Sequence, residues 1–152
     1  MNKKIKKILL KKNKSKIVSL TAYSKNIAKI LDKYVDIVLV GDSMANVLYG
    51  HKNTHQISLE SIIQHTKSVK MGIKKSLLVV DMPKGSYNNI KSAEKNAKHI
   101  INITKCEAIK IESNKKNYKI IKLLVKKNIP VMGHIGYTPQ FKKKFKIQGR
   151  TK

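Results

Sequence analysis

Three of the eight acidic residues in this chain follow directly on short apolar segments that read as β-strands. They are Asp42, Asp81 and Glu112. In a parallel α/β fold the carboxyl ends of the strands share one rim, and ligands bind at that rim. Carboxylates without a neighbouring His or Cys form a hard oxygen site that suits Mg²⁺. The alternative is that acids end these strands only because loops are polar.

Three further residues could support chemistry beside these acids. Lys110 lies two residues before Glu112, so both side chains point to the same side of their predicted strand. An inward lysine needs a charged partner, which an anionic substrate beside a metal would provide, whereas a lysine facing solvent is the alternative. Gly41, next to Asp42, would let the backbone approach a ligand closely. His134 ends another predicted strand and is a candidate hydrogen-bond partner for a substrate.

The elements that must position these residues alternate between short, β-branched apolar segments and longer amphipathic ones. The pattern predicts five strands, at Ile17–Ala22, Asp36–Val40, Ser76–Asp81, Ala108–Ile111 and Pro130–His134. It predicts four helices, at Lys25–Tyr34, Leu59–Met71, Ile90–Thr104 and Lys116–Lys127, and a loop over Phe141–Lys152. Such alternation is typical of βαβ units and therefore of an α/β fold with a parallel sheet. Spacing alone leaves open a small doubly wound sheet or part of a (β/α)₈ barrel, which typically has about 250 residues.

Length and composition narrow the class of protein further. The 152 residues fit a single domain, 1–152, that starts with a basic segment at 1–16. No apolar run approaches the ~20 residues of a membrane span, and no secretory core is present, so we expect a cytoplasmic protein without a membrane partner.

The net charge of the chain is +26, yet all but one of the 34 basic residues are lysines, and only 5% of all residues are aromatic. This pattern does not favour a nucleic-acid partner, which arginine and aromatic side chains usually contact. Cys106 is the only cysteine, which excludes an internal disulfide.

An ordered series of short motifs extends over the chain after residue 16. The motifs are Thr21-Ala22-Tyr23, Val40-Gly41-Asp42-Ser43, Gly50-His51, His65-Thr66, Asp81-Met82-Pro83, Gly85-Ser86-Tyr87, Ile109-Lys110-Ile111-Glu112, Gly133-His134-Ile135-Gly136-Tyr137-Thr138-Pro139-Gln140 and Gln148-Gly149-Arg150. Each motif alone is weak, but their order and spacing together are highly specific. In these motifs the chain resembles the ketopantoate hydroxymethyltransferase family.

The resemblance implies a fold, an activity and a set of site residues. The fold would be an incomplete (β/α)₈ TIM barrel, with about the first five strands and four helices. The activity would be hydroxymethyl transfer from 5,10-methylenetetrahydrofolate to 3-methyl-2-oxobutanoate, by Mg²⁺-stabilised enolate chemistry in pantothenate and coenzyme A synthesis. The metal would be bound by Asp42, Asp81 and Glu112. The 2-oxo acid would be held by Asp42, Ser43, Asp81 and Lys110.

The resemblance also implies a general base on a later strand, and no residue of this chain matches it. We therefore expect the catalytic base beyond Lys152, and we expect the chain to be the N-terminal portion of a longer enzyme that forms a homo-oligomer. Three alternatives stay open. The first is a truncated and inactive fragment, and the second is a lysine-rich protein that binds polyanions or nucleic acid. The third is another Mg²⁺-dependent barrel acting on 2-oxo acids.

Overall fold

Five parallel strands form one sheet in the computed structural model, which describes residues 2–115, 117–142, 147 and 149. The strands are β1 (Ser19–Thr21), β2 (Ile37–Val40), β3 (Leu77–Asp81), β4 (Ala108–Glu112) and β5 (Val131–His134). Their order in the sheet is their order in the chain. All five predicted strands are confirmed, with β1 shorter than predicted and β4 one residue longer.

Six α-helices accompany the strands within the described residues, two more than the four predicted. They are α1 (Lys3–Leu10), α2 (Lys25–Leu31), α3 (Met44–Val47), α4 (Leu59–Lys70), α5 (Ile90–Thr104) and α6 (Tyr118–Lys126), with a 3₁₀ turn at Thr54–Gln56. The prediction of α2 was three residues too long, and α6 begins at Tyr118, whereas the predicted first residue, Lys116, lies outside the described residues. Most of the predicted loop 141–152 also lies outside them. No helix in the described part of the chain has the length and apolar character that crossing a bilayer requires.

The helices that connect the strands pack against one face of the sheet. That face and the helices form the main core, which includes Val38, Val40, Leu78, Val80, Ile109, Ile111, Ile62, Ile63, Ala93, Ala97, Ile100 and Leu124. The alternate residues of the strands point to the other face of the sheet and form a second cluster there. Its buried residues are Ile37, Leu77, Val79 and Ala108. Because the strands follow chain order and their helices share one face, the sheet is wound as in a (β/α)₈ barrel. This arrangement excludes the doubly wound alternative, in which helices cover both faces.

The segment 1–16 contains α1, which the sequence pattern did not reveal among its many lysines. Asn2 caps the helix by accepting a hydrogen bond from the backbone N–H of Lys4. Ile5 and Ile8 pack against the second cluster, at the end of the sheet opposite the carboxyl rim. The Lys4 side chain adds a hydrogen bond to the Ser76 carbonyl at 2.8 Å. The helix therefore covers apolar side chains that the strands would otherwise expose on this face.

Asp32 joins the end of α2 to the segment that leads into β3. Its carboxylate accepts hydrogen bonds from the backbone N–H groups of Lys74, Lys75 and Ser76, at 2.8 to 3.1 Å. Burial alone would raise the pKa of Asp32, but the hydrogen bonds from Ser76, Lys74 and Lys75 together lower it below the ordinary 3.8. The ionised carboxylate thus fixes the entry of the chain into the central strand.

Asp32→Asn should lower the free energy of unfolding by about 2 kcal/mol at pH 7, because buried backbone donors lose charged acceptors. The folded-state pKa of Asp32 lies below its unfolded value, so the stabilisation is present above about pH 4. It is lost as the pH falls through the folded-state pKa. Urea unfolding of both proteins between pH 3 and pH 7 measures the difference. The exposed control Glu60→Gln should change stability little, and a constant Asp32→Asn difference at all pH values would contradict the account.

Ile8→Ala should lower the free energy of unfolding by about 1–2 kcal/mol, because the side chain packs partly against the second cluster. Leu9→Ala is the matched control on the same helix, since Leu9 is 56% exposed. We expect that control to stay within about 0.5 kcal/mol of the unsubstituted protein. Thermal unfolding of the two variants compares them directly. Equal losses would mean that α1 does not pack as described.

Candidate active site

A cavity of about 810 Å³ opens at the carboxyl ends of the strands. The residues predicted from the sequence all line it, namely Asp42, Ser43, Asp81, Lys110, Glu112 and His134. They lie at the ends of β2 to β5 or directly after them, because parallel pairing brings those ends to one edge. The structure therefore gathers the predicted site residues in one place. Their roles as metal ligands and substrate contacts stay predictions.

Asp81 and Lys110 form a buried ion pair in this cavity. The two residues are register partners on β3 and β4, and Nζ of Lys110 donates to Oδ1 of Asp81 at 2.6 Å. Oδ2 of Asp81 accepts the backbone N–H of Asp42 at 3.1 Å. Burial raises the pKa of Asp81, an effect that the charge of Lys110 opposes and the Asp42 carboxylate reinforces. The sequence predicted a bound anion as the partner of Lys110, whereas the structure shows that a carboxylate of the protein already fills this role.

Glu112 and His134 face each other across β4 and β5. Nδ1 of His134 lies 3.7 Å from Oε1 of Glu112, too far for a hydrogen bond, and has no hydrogen-bond partner among the described residues. Burial raises the pKa of Glu112 to about 7, although the backbone N–H of Gln140 opposes this rise. Burial and the charge of Lys110 lower the pKa of His134 below its ordinary 6.5. At neutral pH His134 is therefore uncharged, and its Nδ1 is shielded from solvent.

Tyr23 positions Ser43, a relation that sequence reasoning missed. The Tyr23 hydroxyl and Oγ of Ser43 lie 2.8 Å apart and share a hydrogen bond. Gly41 packs tightly on the other side, since a Cβ atom there would lie 3.0 Å from Oγ of Ser43 and 3.4 Å from Oδ2 of Asp81. A side chain at Gly41 would therefore crowd the Ser43 hydroxyl. The sequence predicted that Gly41 lets the backbone approach a ligand closely. The structure shows that Gly41 also lies close to the side chains of Ser43 and Asp81.

Gln140 and Tyr87 complete the base of the site, and neither was singled out from the sequence. The Gln140 side chain donates from Nε2 to Oδ2 of Asp42 at 2.7 Å and to the Met82 carbonyl at 3.1 Å. The backbone N–H of Gln140 donates to Oε2 of Glu112 at 3.0 Å. The Tyr87 hydroxyl donates to Oε1 of the Gln140 side chain. Burial raises the pKa of Tyr87, and the three acidic side chains add to this rise, so the phenol stays protonated. Both residues occur in the motifs quoted above, which was the only signal in the sequence.

The acidic side chains of the cavity have the chemistry of a hard cation site but are not arranged as a closed one. Among residues 2–115, 117–142, 147 and 149, no three His, Cys, Asp or Glu side chains lie close enough to hold a metal ion together. Three buried carboxylates nevertheless surround one part-buried lysine, Lys110. Oδ1 of Asp42 and Oε1 of Glu112 accept no hydrogen bond from any described residue. A cation bound at these oxygens would offset the surplus of buried negative charge.

The chain matches curated proteins along nearly its whole length. The family model described as ketopantoate hydroxymethyltransferase matches residues 2–152. The chain is 57% identical over 150 residues to the 3-methyl-2-oxobutanoate hydroxymethyltransferase of Pelagibacter ubique, covering 99% of this chain and 58% of that protein. The enzyme of the same name from Campylobacter fetus is 46% identical, with 94% of this chain and 55% of that protein covered. The chain thus spans somewhat more than half the length of these relatives.

Solved structures share the fold at low sequence identity. A 2,3-dimethylmalate lyase of the PEP mutase/isocitrate lyase superfamily superposes with a TM-score of 0.63 at 11% identity, over 88% of this chain and 52% of that one. An oxaloacetate acetylhydrolase gives a TM-score of 0.63 at 11% identity, over 86% and 50%. These likenesses support a partial barrel and nothing about the reaction. Taken with the match over residues 2–152, they leave one assignment: the chain belongs to the ketopantoate hydroxymethyltransferase family.

Proposed function

We propose that the protein carrying this chain transfers a hydroxymethyl group to 3-methyl-2-oxobutanoate, forming 2-dehydropantoate for pantothenate synthesis. The one-carbon donor would be 5,10-methylenetetrahydrofolate. Membership of the family supports the reaction type. The observation that carries the proposal is the Asp81–Lys110 pair, which lies beside Asp42 and Glu112 in a single cavity. Such a cavity provides oxygen ligands for a cation and a positive charge for a 2-oxo acid.

Mg²⁺ would be held by Asp42, Asp81 and Glu112 in this proposal. When bound, it would polarise the 2-oxo group and so make the adjacent C–H more acidic. Oxygen atoms without hydrogen-bond donors on Asp42 and Glu112 support this assignment, as does the surplus of buried carboxylates. The three carboxylates supply hard oxygen ligands of the kind that Mg²⁺ prefers.

Three side chains of this chain would bind and orient the oxo acid. Lys110 would neutralise the substrate carboxylate, since its ammonium has three donors and the structure shows one of them used by Asp81. Ser43, held by the Tyr23 hydroxyl, would hydrogen-bond a substrate oxygen. Uncharged His134, which lines the cavity, would contribute a further contact. These groups would fix the orientation of the substrate before any proton is removed.

Removal of the C3 proton of the oxo acid requires a general base. The family resemblance implies a base on a later strand, and we propose that it comes from a part of the protein outside these 152 residues. We also propose a cytoplasmic homo-oligomer.

A labelled-carbon assay tests the proposed reaction. The purified full-length protein that carries this chain is incubated with Mg²⁺, 3-methyl-2-oxobutanoate and 5,10-methylenetetrahydrofolate carrying ¹³C in the methylene group. We expect 2-dehydropantoate one mass unit heavier, no product with a chelator, and recovery after Mg²⁺ is restored. Asp81→Asn should lower kcat/KM by on the order of 100- to 1,000-fold, because enzymes typically lose this much when one group that stabilises the transition state is removed.

Glu94→Gln is the matched control for this assay, because it also removes one negative charge but lies on α5 outside the cavity. Its kcat/KM should equal that of the unsubstituted protein. A folded protein that forms no labelled product would favour the inactive-fragment alternative. Equal activities of Asp81→Asn and the unsubstituted protein would contradict the proposed site.

Lys110→Met should raise the KM for the oxo acid by roughly 10- to 100-fold, since a charge-assisted hydrogen bond contributes about 1.5–3 kcal/mol. Steady-state kinetics with varied oxo acid measure this change. Lys98→Met removes a lysine of the same length from an exposed ion pair with Glu94 and serves as the control. An unchanged KM in Lys110→Met would show that Lys110 only stabilises Asp81.

A further inference from the structure

We infer that Gln140 is a positioning residue that holds Asp42 and Glu112 in the orientation needed for cation binding. The inference rests on the proposed function, because it concerns the ligands assigned there. Gln140 is 2% exposed and lies in the segment after β5, 98 residues from Asp42 in the chain. It does not line the cavity itself. Any effect on a bound cation must therefore act through its hydrogen-bond partners.

Gln140 donates one hydrogen bond to each of two cavity carboxylates. Its side-chain Nε2 bonds Oδ2 of Asp42, and its backbone N–H bonds Oε2 of Glu112. In both acids the other oxygen has no donor among the described residues. One residue thus occupies one oxygen of each acid and leaves the remaining oxygen for a ligand. Hydrogen bonds of this kind to metal-binding carboxylates typically fix their orientation.

Two further contacts determine which way the Gln140 amide points. The Tyr87 hydroxyl donates to Oε1, while Nε2 also donates to the carbonyl of Met82. If the amide were turned over, Oε1 would face two acceptors, on Asp42 and Met82, and the Tyr87 hydroxyl would face an NH₂ group. That arrangement would leave buried polar groups without partners, which is costly. The neighbours therefore hold the amide so that it can only donate to Asp42.

The segment after β5 reaches the ends of β2 and β4 through this residue. His55 Nε2 lies 2.9 Å from the Pro139 carbonyl, and the N–H groups of Phe141 and Lys142 donate to the Thr138 carbonyl. These bonds form a turn that aims Gln140 inward. Hydrogen bonds thus connect the loops after β2, β3 and β5 to the carboxylates of Asp42 and Glu112. A hydrogen-bond network of this kind is worth more than its separate bonds.

Mn²⁺ binding to the protein without substrate tests the inference, with affinity measured by electron paramagnetic resonance. Gln140→Met keeps the volume but removes every side-chain hydrogen bond, and we expect it to weaken Mn²⁺ binding roughly 10- to 100-fold. Thr104→Val is the matched control, since it removes buried hydrogen bonds at the far end of α5. We expect Thr104→Val to lower thermal stability without changing the Mn²⁺ affinity.

Tyr87→Phe serves as a second variant in case Gln140→Met does not fold. It removes only the bond to Oε1 and should weaken Mn²⁺ binding by roughly threefold to tenfold, as expected when one of several bonds is lost. Unchanged affinity in the folded Gln140→Met protein, or in Tyr87→Phe if only that variant folds, would overturn the inference and leave the proposed function intact. Absence of Mn²⁺ binding in the unsubstituted protein would overturn both. Weakened binding in the variants but not in Thr104→Val would support the positioning role.

Discussion

The burial of negative charge at the carboxyl rim is the constraint on which the rest of the site depends. Asp42, Asp81 and Glu112 are 6%, 4% and 3% exposed, and a buried carboxylate is costly unless it is paired or hydrogen-bonded. Asp81 meets this requirement through Lys110 and a backbone N–H group, and Glu112 partly through Gln140. Two carboxylate oxygens still have no donor. The protein thus keeps buried carboxylate oxygens without hydrogen-bond donors at the place where the proposed cation and substrate would bind.

The fold produces this rim by simple means. Parallel pairing in chain order aligns the carboxyl ends of β2 to β5, and register places Lys110 directly beside Asp81. Connecting helices cover one face of the sheet, and α1 covers part of the other face at the far end. The contacts of α1 and the side chains of the cavity are therefore at opposite ends of the strands. This separation lets loops at the rim carry unsatisfied polar atoms without exposing the core.

Features with a strong local signal were predictable from the sequence. The bounds of α5 were predicted correctly because its apolar spacing is regular, and Asn89 and Ser92 close its first turn. The gathering of Asp42, Asp81 and Glu112 followed from their positions after strands. Helix α1 was missed because lysines obscure its two core-facing isoleucines, and its packing depends on strands far along the chain.

Contacts set by tertiary structure were beyond sequence reasoning. The partner of Lys110 lies 29 residues away, and its identity depends on strand register. The contact of Gln140 with Asp42 spans 98 residues and has no characteristic spacing. Gln140 stood inside a recognisable motif, but nothing local indicated which acid it would meet. Motifs therefore located the site, while the hydrogen bonds that shape it required the structure.

The central claim is that Asp42, Asp81 and Glu112 bind one divalent cation, and a crystal structure with Mn²⁺ and 3-methyl-2-oxobutanoate tests it most directly. Anomalous scattering would locate the metal independently of the refined side chains. The account predicts a single Mn²⁺ within about 2.5 Å of oxygens of Asp42, Asp81 and Glu112, beside the oxo acid. A cavity without anomalous signal, or a Mn²⁺ bound away from these carboxylates, would contradict it.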